Sequence, residues 1–392
     1  MQAFYKTHQY LVAHVHSPVK RLLMDEIDWT HRLIGIKGSR GVGKTTFLLQ
    51  YAKNYFGNSK QCLFISLNDF YFTKHSLVEF AENFTDDGGH TLLIDQTFKY
   101  ENWSKELREC YDRFPSLHII FSGSTVMRLI EENNDIQNIV SAYNLRGFSF
   151  REFLNLQTGS TFPAYKLQDI TQNHVQIAEE IGKEVQALDY FNDYLHHGYY
   201  PFYLEEHNFS DTLLKTMNMM LEVDILLIKQ IEPKYLSKIR KLLYLLTISA
   251  PCAPNVSLLS KEIETSRATI MNYIKYLADA RLINLLYVNG EEYPKKPNQI
   301  YAGNTNLMHA VNLGIVDRIA EQKTFFYNAL QAKHKVKMCH YKQDFSIDEQ
   351  YTFRCESKPS SGKLYSKVTY AVNDITIGSK NVIPLWLFGF LY

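Results

Sequence analysis

Residues 38–45, "GSRGVGKT", fit the pattern G-x-x-x-x-G-K-T. Glycines at these positions allow a tight turn that gathers backbone N–H groups, and a helix starting directly behind them favours an anion. Gly38, Ser39, Arg40, Gly41, Val42 and Gly43 would wrap the phosphates of a nucleoside triphosphate, with Lys44, Thr45 and Thr46 opening the helix. Lys44 would reach the β- and γ-phosphates, and the Thr45 hydroxyl would ligate Mg²⁺. The expected cofactors are therefore ATP and Mg²⁺. A plain glycine turn is the competing reading, but the motif follows an apolar run and opens a helical segment.

Such a site needs an acid on a neighbouring strand. "TLLIDQ" (91–96) offers Asp95, placed to hold a magnesium-bound water. The next residue is Gln96, where a proton-accepting glutamate would be usual. A neutral amide cannot take the proton, although it can orient water. Three readings stay open: slow hydrolysis with Gln96 positioning water, binding without turnover, or a base elsewhere. "LHIIFSGS" (117–124) ends in Ser122 and Ser124, either of which could sense the γ-phosphate or simply cap the following helix.

These residues need a scaffold. "RLIGIKG" (32–38), "CLFISLND" (62–69), "TLLIDQ" and "LHIIFSGS" are short apolar runs separated by helical segments, with a fifth strand expected in "AYNLRGFSF" (142–150). That alternation predicts an α/β fold with a parallel sheet buried on both faces, the P-loop NTPase arrangement. Beyond about residue 160 the pattern turns helical. In "HVQIAEEIGKEVQALDYFNDYLHHG" Val175, Ala178, Ile181, Val185 and Leu188 recur at helical spacing, and Gly198 reads as a C-cap. Two further helices lie in 211–231 and 235–249. Residues 257–287 read as helix, turn, helix and strand. "KKP" (295–297) reads as a linker, and the remainder as mixed α/β with a helix near 316–332. The apolar C-terminal run "VIPLWLFGFLY" is too short to span a bilayer and reads as a buried strand.

Together "GSRGVGKTT", "LLIDQTFKYENWSKELRECYDRFPSLHIIFSGS" and "YNLRGFSFREFL" resemble bacterial and archaeal AAA-type ATPases of the STAND-like branch. "YFNDYLHHGYYPFYLEE", "KPNQIYAGNTNLMHAV" and "DFSIDEQYTF" extend the likeness to the C-terminus. The resemblance implies an AAA core over 1–160, a helical lid over 161–232, a winged-helix module over 233–295 and a restriction-nuclease-like domain of unknown function over 296–392. It also matches Arg146 and Arg151 to arginines near the fifth strand, in a structural ion pair or on the γ-phosphate. Gln96 departs from the family's Asp-Glu.

In the winged-helix reading Ser266 caps the second helix and Ile270, Ile274 and Leu277 are buried. Arg267, Thr269, Asn272 and Lys275 would face outward, with Lys295 and Lys296 near DNA phosphates. The net charge of +1 gives no field toward nucleic acid or membrane, so protein contacts are the favoured use. At the C-terminal end Asp344, Glu356 and Lys358 spell D…E-x-K, a metal-nuclease pattern. Alignment with the family pattern, however, puts Arg354 and Lys323 where acids belong, which predicts a degenerate fold used for contacts. Adjacent His196 and His197 read as surface or packing residues. The five scattered cysteines contain no CxxC pair and suit a reducing compartment. With no apolar leader in the opening residues, the expectation is a cytoplasmic ATP-binding switch with a protein partner, and a non-hydrolysing scaffold or DNA-binding protein as its alternative.

Overall fold

The computed structural model describes every residue except 128, 130–132, 206–207, 289–290, 313, 340–343 and 358–367. The chain divides into two compact units, residues 1–147 and 148–392.

In the first unit, strands β1 (Leu33–Lys37), β2 (Cys62–Ser66), β3 (Thr91–Asp95), β4 (His118–Gly123) and β5 (Ser141–Asn144) form one sheet in the order β2-β3-β4-β1-β5. Every pairing is parallel. Strands β1 to β4 are buried almost throughout, which is why their apolar residues run continuously instead of alternating. Helices α1 (Gln2–His14), α2 (Leu23–Glu26), α3 (Lys44–Tyr55), α4 (Leu77–Asp86) and α5 (Trp103–Arg113) accompany the strands. Helix α3 buries Phe47, Leu48, Tyr51 and Ala52, and Trp29 stacks on Tyr51 with ring centroids 4.2 Å apart.

The order matters for chemistry. Strand β4 lies between β1, which leads into the glycine loop, and β3, which ends at Asp95. Its register pairs Ile36 with Ser122 and Ile94 with Phe121, so Ser122 sits level with the acid.

The second unit begins with α6 (Phe150–Thr158), started by a capping box between Ser149 and Glu152. The long helix expected to end at Gly198 is broken. It consists of α7 (Leu167–Gly182), α8 (Ala187–Asp193) and a π-helical turn over Tyr194–Gly198. Gly198 is not a left-handed cap; it lies where a Cβ would meet the Tyr194 ring at 2.6 Å. The fully buried Asn306 amide donates to the Tyr194 and Leu195 carbonyls at 3.1 and 2.9 Å and accepts from the Tyr199 N–H at 2.9 Å. A side chain thus satisfies carbonyls that a widened turn leaves over. Helix α9 (Phe209–Met219) likewise passes into a π turn over Met220–Ile225.

Helices α10 (Leu236–Ile248), α11 (Val256–Glu262) and α12 (Arg267–Asp279) precede an antiparallel ribbon of β6 (Ile283–Leu286) and β7 (Gln299–Ala302). The "KKP" stretch lies in the connection between β6 and β7. After α13 (Thr305–Val311) and α14 (Arg318–Leu330) come β8 (Val336–Met338), β9 (Phe345–Ile347), β10 (Tyr351–Glu356), β11 (Thr369–Val372) and β12 (Val382–Pro384). They form a mixed sheet in the order β12-β11-β10-β9-β8, antiparallel across β8, β9 and β10 and parallel across β10, β11 and β12. Phe326 packs against Phe345, Phe353 and Phe388 at centroid distances of 5.2, 5.2 and 4.8 Å. The C-terminal apolar run is strand only over Val382–Pro384. Leu385–Phe390 coil into a 3₁₀ helix, because Pro384 cannot donate to a ladder and the run is buried on all sides.

Candidate nucleotide site

The glycine loop connects β1 to α3. Gly41 and Gly43 have φ of 84° and 90°, left-handed values that favour glycine. Gly38 is needed for a different reason: a Cβ there would meet the Leu145 carbonyl oxygen at 2.6 Å. Ser39 and Val42 are buried and Arg40 is half-buried. Lys44 donates to the Gly38 and Ser39 carbonyls at 2.7 and 2.9 Å, so its ammonium lies across the loop. Thr46 follows in the first turn of α3.

Asp95 closes the far side. Its Oδ2 accepts the Thr45 hydroxyl at 2.6 Å, although the two residues are fifty positions apart. Its Oδ1 accepts from the Ser122 hydroxyl and from the Gln96 N–H at 2.9 Å. The Gln96 N–H also points at Ser122 Oγ, 3.2 Å away, and Thr97 Oγ1 anchors the Ser122 carbonyl at 2.6 Å. Gln96 is held in the left-handed region at φ 57°, ψ 36°, an uncommon conformation for a non-glycine residue. Ser124 lies just beyond β4 and accepts weakly from the Val126 N–H at 3.4 Å. The structure therefore brings Thr45, Asp95, Gln96 and Ser122 into one hydrogen-bonded set. Its hydroxyl and carboxylate oxygens suit a hard divalent cation, and the glycine cradle suits a phosphate.

Residues 30–154 match the family model described as "AAA domain". The first unit carries an AAA-type P-loop domain. Within it the five-stranded parallel sheet is the one the sequence predicted. Residues 188–315 match a second family model, described as a domain of unknown function, DUF8612. "Uncharacterized protein MJ1637" of Methanocaldococcus jannaschii is 24% identical to this chain, spanning 90% of it and 80% of the relative. Among solved structures, an Aeropyrum pernix ORC1 protein in complex with DNA is 10% identical, with a TM-score of 0.31 over 78% of this chain and 91% of that one. An AMPPCP-bound DnaA from Aquifex aeolicus is 15% identical, with a TM-score of 0.27 over 71% and 87%. A Thermotoga maritima RuvB is 13% identical, with a TM-score of 0.28 over 73% and 89%.

The other sequence-predicted residues make the following contacts. Arg146 contributes its carbonyl to Arg21. Arg151 belongs to the second unit, where its guanidinium donates to the Tyr392 and Phe162 carbonyls at 3.1 and 3.3 Å. On α12, Ser266 caps the helix through the Thr269 N–H, and Ile270, Ile274 and Leu277 are buried. Its outward polar groups are engaged internally. Arg267 donates to Ser257, Asn272 accepts from the Tyr293 hydroxyl at 2.7 Å, and Lys275 pairs with Asp279 at 3.4 Å. Lys295 pairs with Glu291 at 3.3 Å, and Lys296 is exposed.

At the C-terminal sheet Asp344 holds Lys323 at 2.6 Å, and Glu356 pairs with Arg354 at 3.1 Å. Lys358 lies outside the described residues. Among the described residues no three His, Cys, Asp or Glu side chains form a metal-binding group. His196 stacks near His309 at 4.3 Å, and His197 stacks on Tyr203 at 4.7 Å. Burial pushes the Cys62 and Cys110 thiols up to about 12, which makes them poor nucleophiles. No described helix is long and apolar enough to cross a membrane.

Sequence reasoning missed Arg21. It is buried and donates to the carbonyls of Val42 at 3.1 Å, Arg146 and Gly147. Nothing in "SPVKRLL" distinguishes it from other surface-type cations.

Proposed function

We propose that the chain binds ATP with Mg²⁺ at residues 38–46, hydrolyses it slowly, and uses the nucleotide state as a switch acting on a protein partner. The observation that carries this reading is the Thr45–Asp95 hydrogen bond behind two left-handed glycines. It joins the helix start to the acid across an intervening strand.

In this reading the loop amides and Lys44 bind the phosphate tail, while Thr45 and Asp95 would hold the metal, Asp95 through a bound water. Bound Mg²⁺ would neutralise charge on the β- and γ-phosphate oxygens. Thr45 donates its only hydroxyl proton to Asp95, which leaves the lone pairs of its oxygen for the metal. Gln96 can orient a water but cannot deprotonate it, which supports a slow rate. The net charge of +1 favours protein contacts over DNA as the use of α12.

The test compares ATP binding and turnover in the native chain, Lys44→Ala and Gln96→Glu. Loss of binding in Lys44→Ala, with faster turnover in Gln96→Glu, is expected. Unchanged ATP affinity in a folded Lys44→Ala would overturn the site. No turnover in any variant would leave a binding scaffold instead of a slow ATPase.

A further inference from the structure

We infer that Arg21 is a positioning residue for the phosphate loop and the link through which nucleotide state reaches the junction at Gly147. This deepens the proposed nucleotide site and rests on it.

Arg21 is 7% exposed and lies before β1, outside the phosphate-binding motif. Its Nη1 donates to the Val42 carbonyl at 3.1 Å. Its Nη2 donates to the Arg146 carbonyl and, at 3.1 Å, to that of Gly147. One rigid, planar guanidinium thus joins the loop to the last residues of the first unit. A second contact runs beside it. The Leu145 N–H donates to the Lys37 carbonyl at 2.7 Å, and the Leu145 carbonyl lies against Gly38. The segment 145–147 therefore touches the loop at its start and, through Arg21, near its end.

A trans peptide is planar, with its C=O and N–H on opposite sides. Holding the Val42 carbonyl on Arg21 turns the Gly43 N–H away from Arg21, so this side chain sets the direction of one amide in the cradle. A phosphate oxygen accepting from Gly43 would pull on the same peptide plane. Any tilt moves the carbonyl on Nη1. The guanidinium is planar, so a turn at Nη1 also turns Nη2, the atom that holds the carbonyls of 146 and 147.

The test uses the full chain with MgATP and MgADP, reading affinity, thermal melting and amide hydrogen exchange over residues 145–149. In the native chain ATP should slow or speed exchange at Gly147 and Phe148. Arg21→Met should weaken ATP by about tenfold, as loss of charge-assisted bonds implies, and abolish that exchange response. Arg21→Lys should recover part of the affinity without the response, since a single ammonium lacks the fork. Should Arg21→Met prove unstable, Arg21→Lys with native melting supplies the decision. An exchange response of full size in either variant, or a native chain whose 145–149 amides ignore bound ATP, overturns the inference. A native chain indistinguishable from Lys44→Ala in nucleotide binding overturns the phosphate site itself.

Discussion

The Lys323 ammonium lies 2.6 Å from Asp344 Oδ1, and the other oxygen of that carboxylate accepts the Cys355 N–H at 2.8 Å. Both side chains are about four-fifths buried, so the pair is only partly screened by water. A cation supplied by the chain itself thus sits against one oxygen of this carboxylate, and a backbone N–H against the other. That relationship explains why an acid-rich motif in the sequence need not be a metal site.

Removing the ammonium should therefore be costly. Lys323→Met is expected to destabilise the second unit by about 1–3 kcal/mol, because a half-satisfied carboxylate stays buried. Lys323→Glu places two carboxylates together and should make melting temperature rise with added Mn²⁺. The native chain's second unit should show no such rise, which the Lys44→Ala background isolates from the P-loop. Stabilisation of that background by Mn²⁺ would contradict the internal-cation account.

Ser122 has one hydroxyl proton and gives it to Asp95, while its oxygen faces the Gln96 N–H. In the proposed site its proton is thus committed to orienting the acid, which makes Ser124 the candidate γ-phosphate sensor. Ser122→Ala should cut the Mg²⁺-dependent gain in ATP affinity by about tenfold and leave the ratio of ATP to ADP affinity as it was. Binding titrations with and without EDTA check this. Loss of nucleotide discrimination in Ser122→Ala would return the sensor role to it.

Gly38 and Gly57 offer a paired test of what a glycine does. A Cβ on Gly38 would collide with the Leu145 carbonyl at 2.6 Å and with Val42 at 2.9 Å, and backbone cannot step aside cheaply. Gly38→Ala should lower stability by roughly 1–3 kcal/mol and ATP affinity at least tenfold. Gly57 has φ of 55° but open space around it, so Gly57→Ala should cost only about 1 kcal/mol. Its ATP affinity should match the native chain. Equal affinities in the two variants would show that the cradle tolerates the shift.

The first unit was legible because its signals are local and redundant. A continuous apolar strand, a glycine loop and a helix follow one another, and Asp95 ends a strand of the same kind. The Thr45–Asp95–Ser122 set follows once the strand order is known. The single-helix reading failed over 174–198, since periodicity cannot show that Asn306, more than a hundred residues later, satisfies the carbonyls of a π turn. Residues 385–390 misled for a related reason: burial on every side erases the alternation that separates strand from helix. Arg21 was invisible because its partners are backbone carbonyls, which carry no sequence signature.

Acid should destabilise the protein through histidines that are buried neutral. The His8 Nδ1 accepts the Phe64 N–H at 3.0 Å, and burial lowers its pKa. His174 is lowered by burial too. A histidine whose folded pKa lies below the unfolded value of about 6.5 binds fewer protons when native. Its contribution is complete above that pH and is lost as the pH falls through the range below it. Protonating His8 at Nδ1 would also set two donors against each other. The urea midpoint should therefore stay level from pH 8.5 to 7 and fall from about 6.5 to 5. His8→Asn, whose Oδ1 can replace the acceptor, should flatten that fall measurably, and an identical slope in both proteins would remove His8 as a cause.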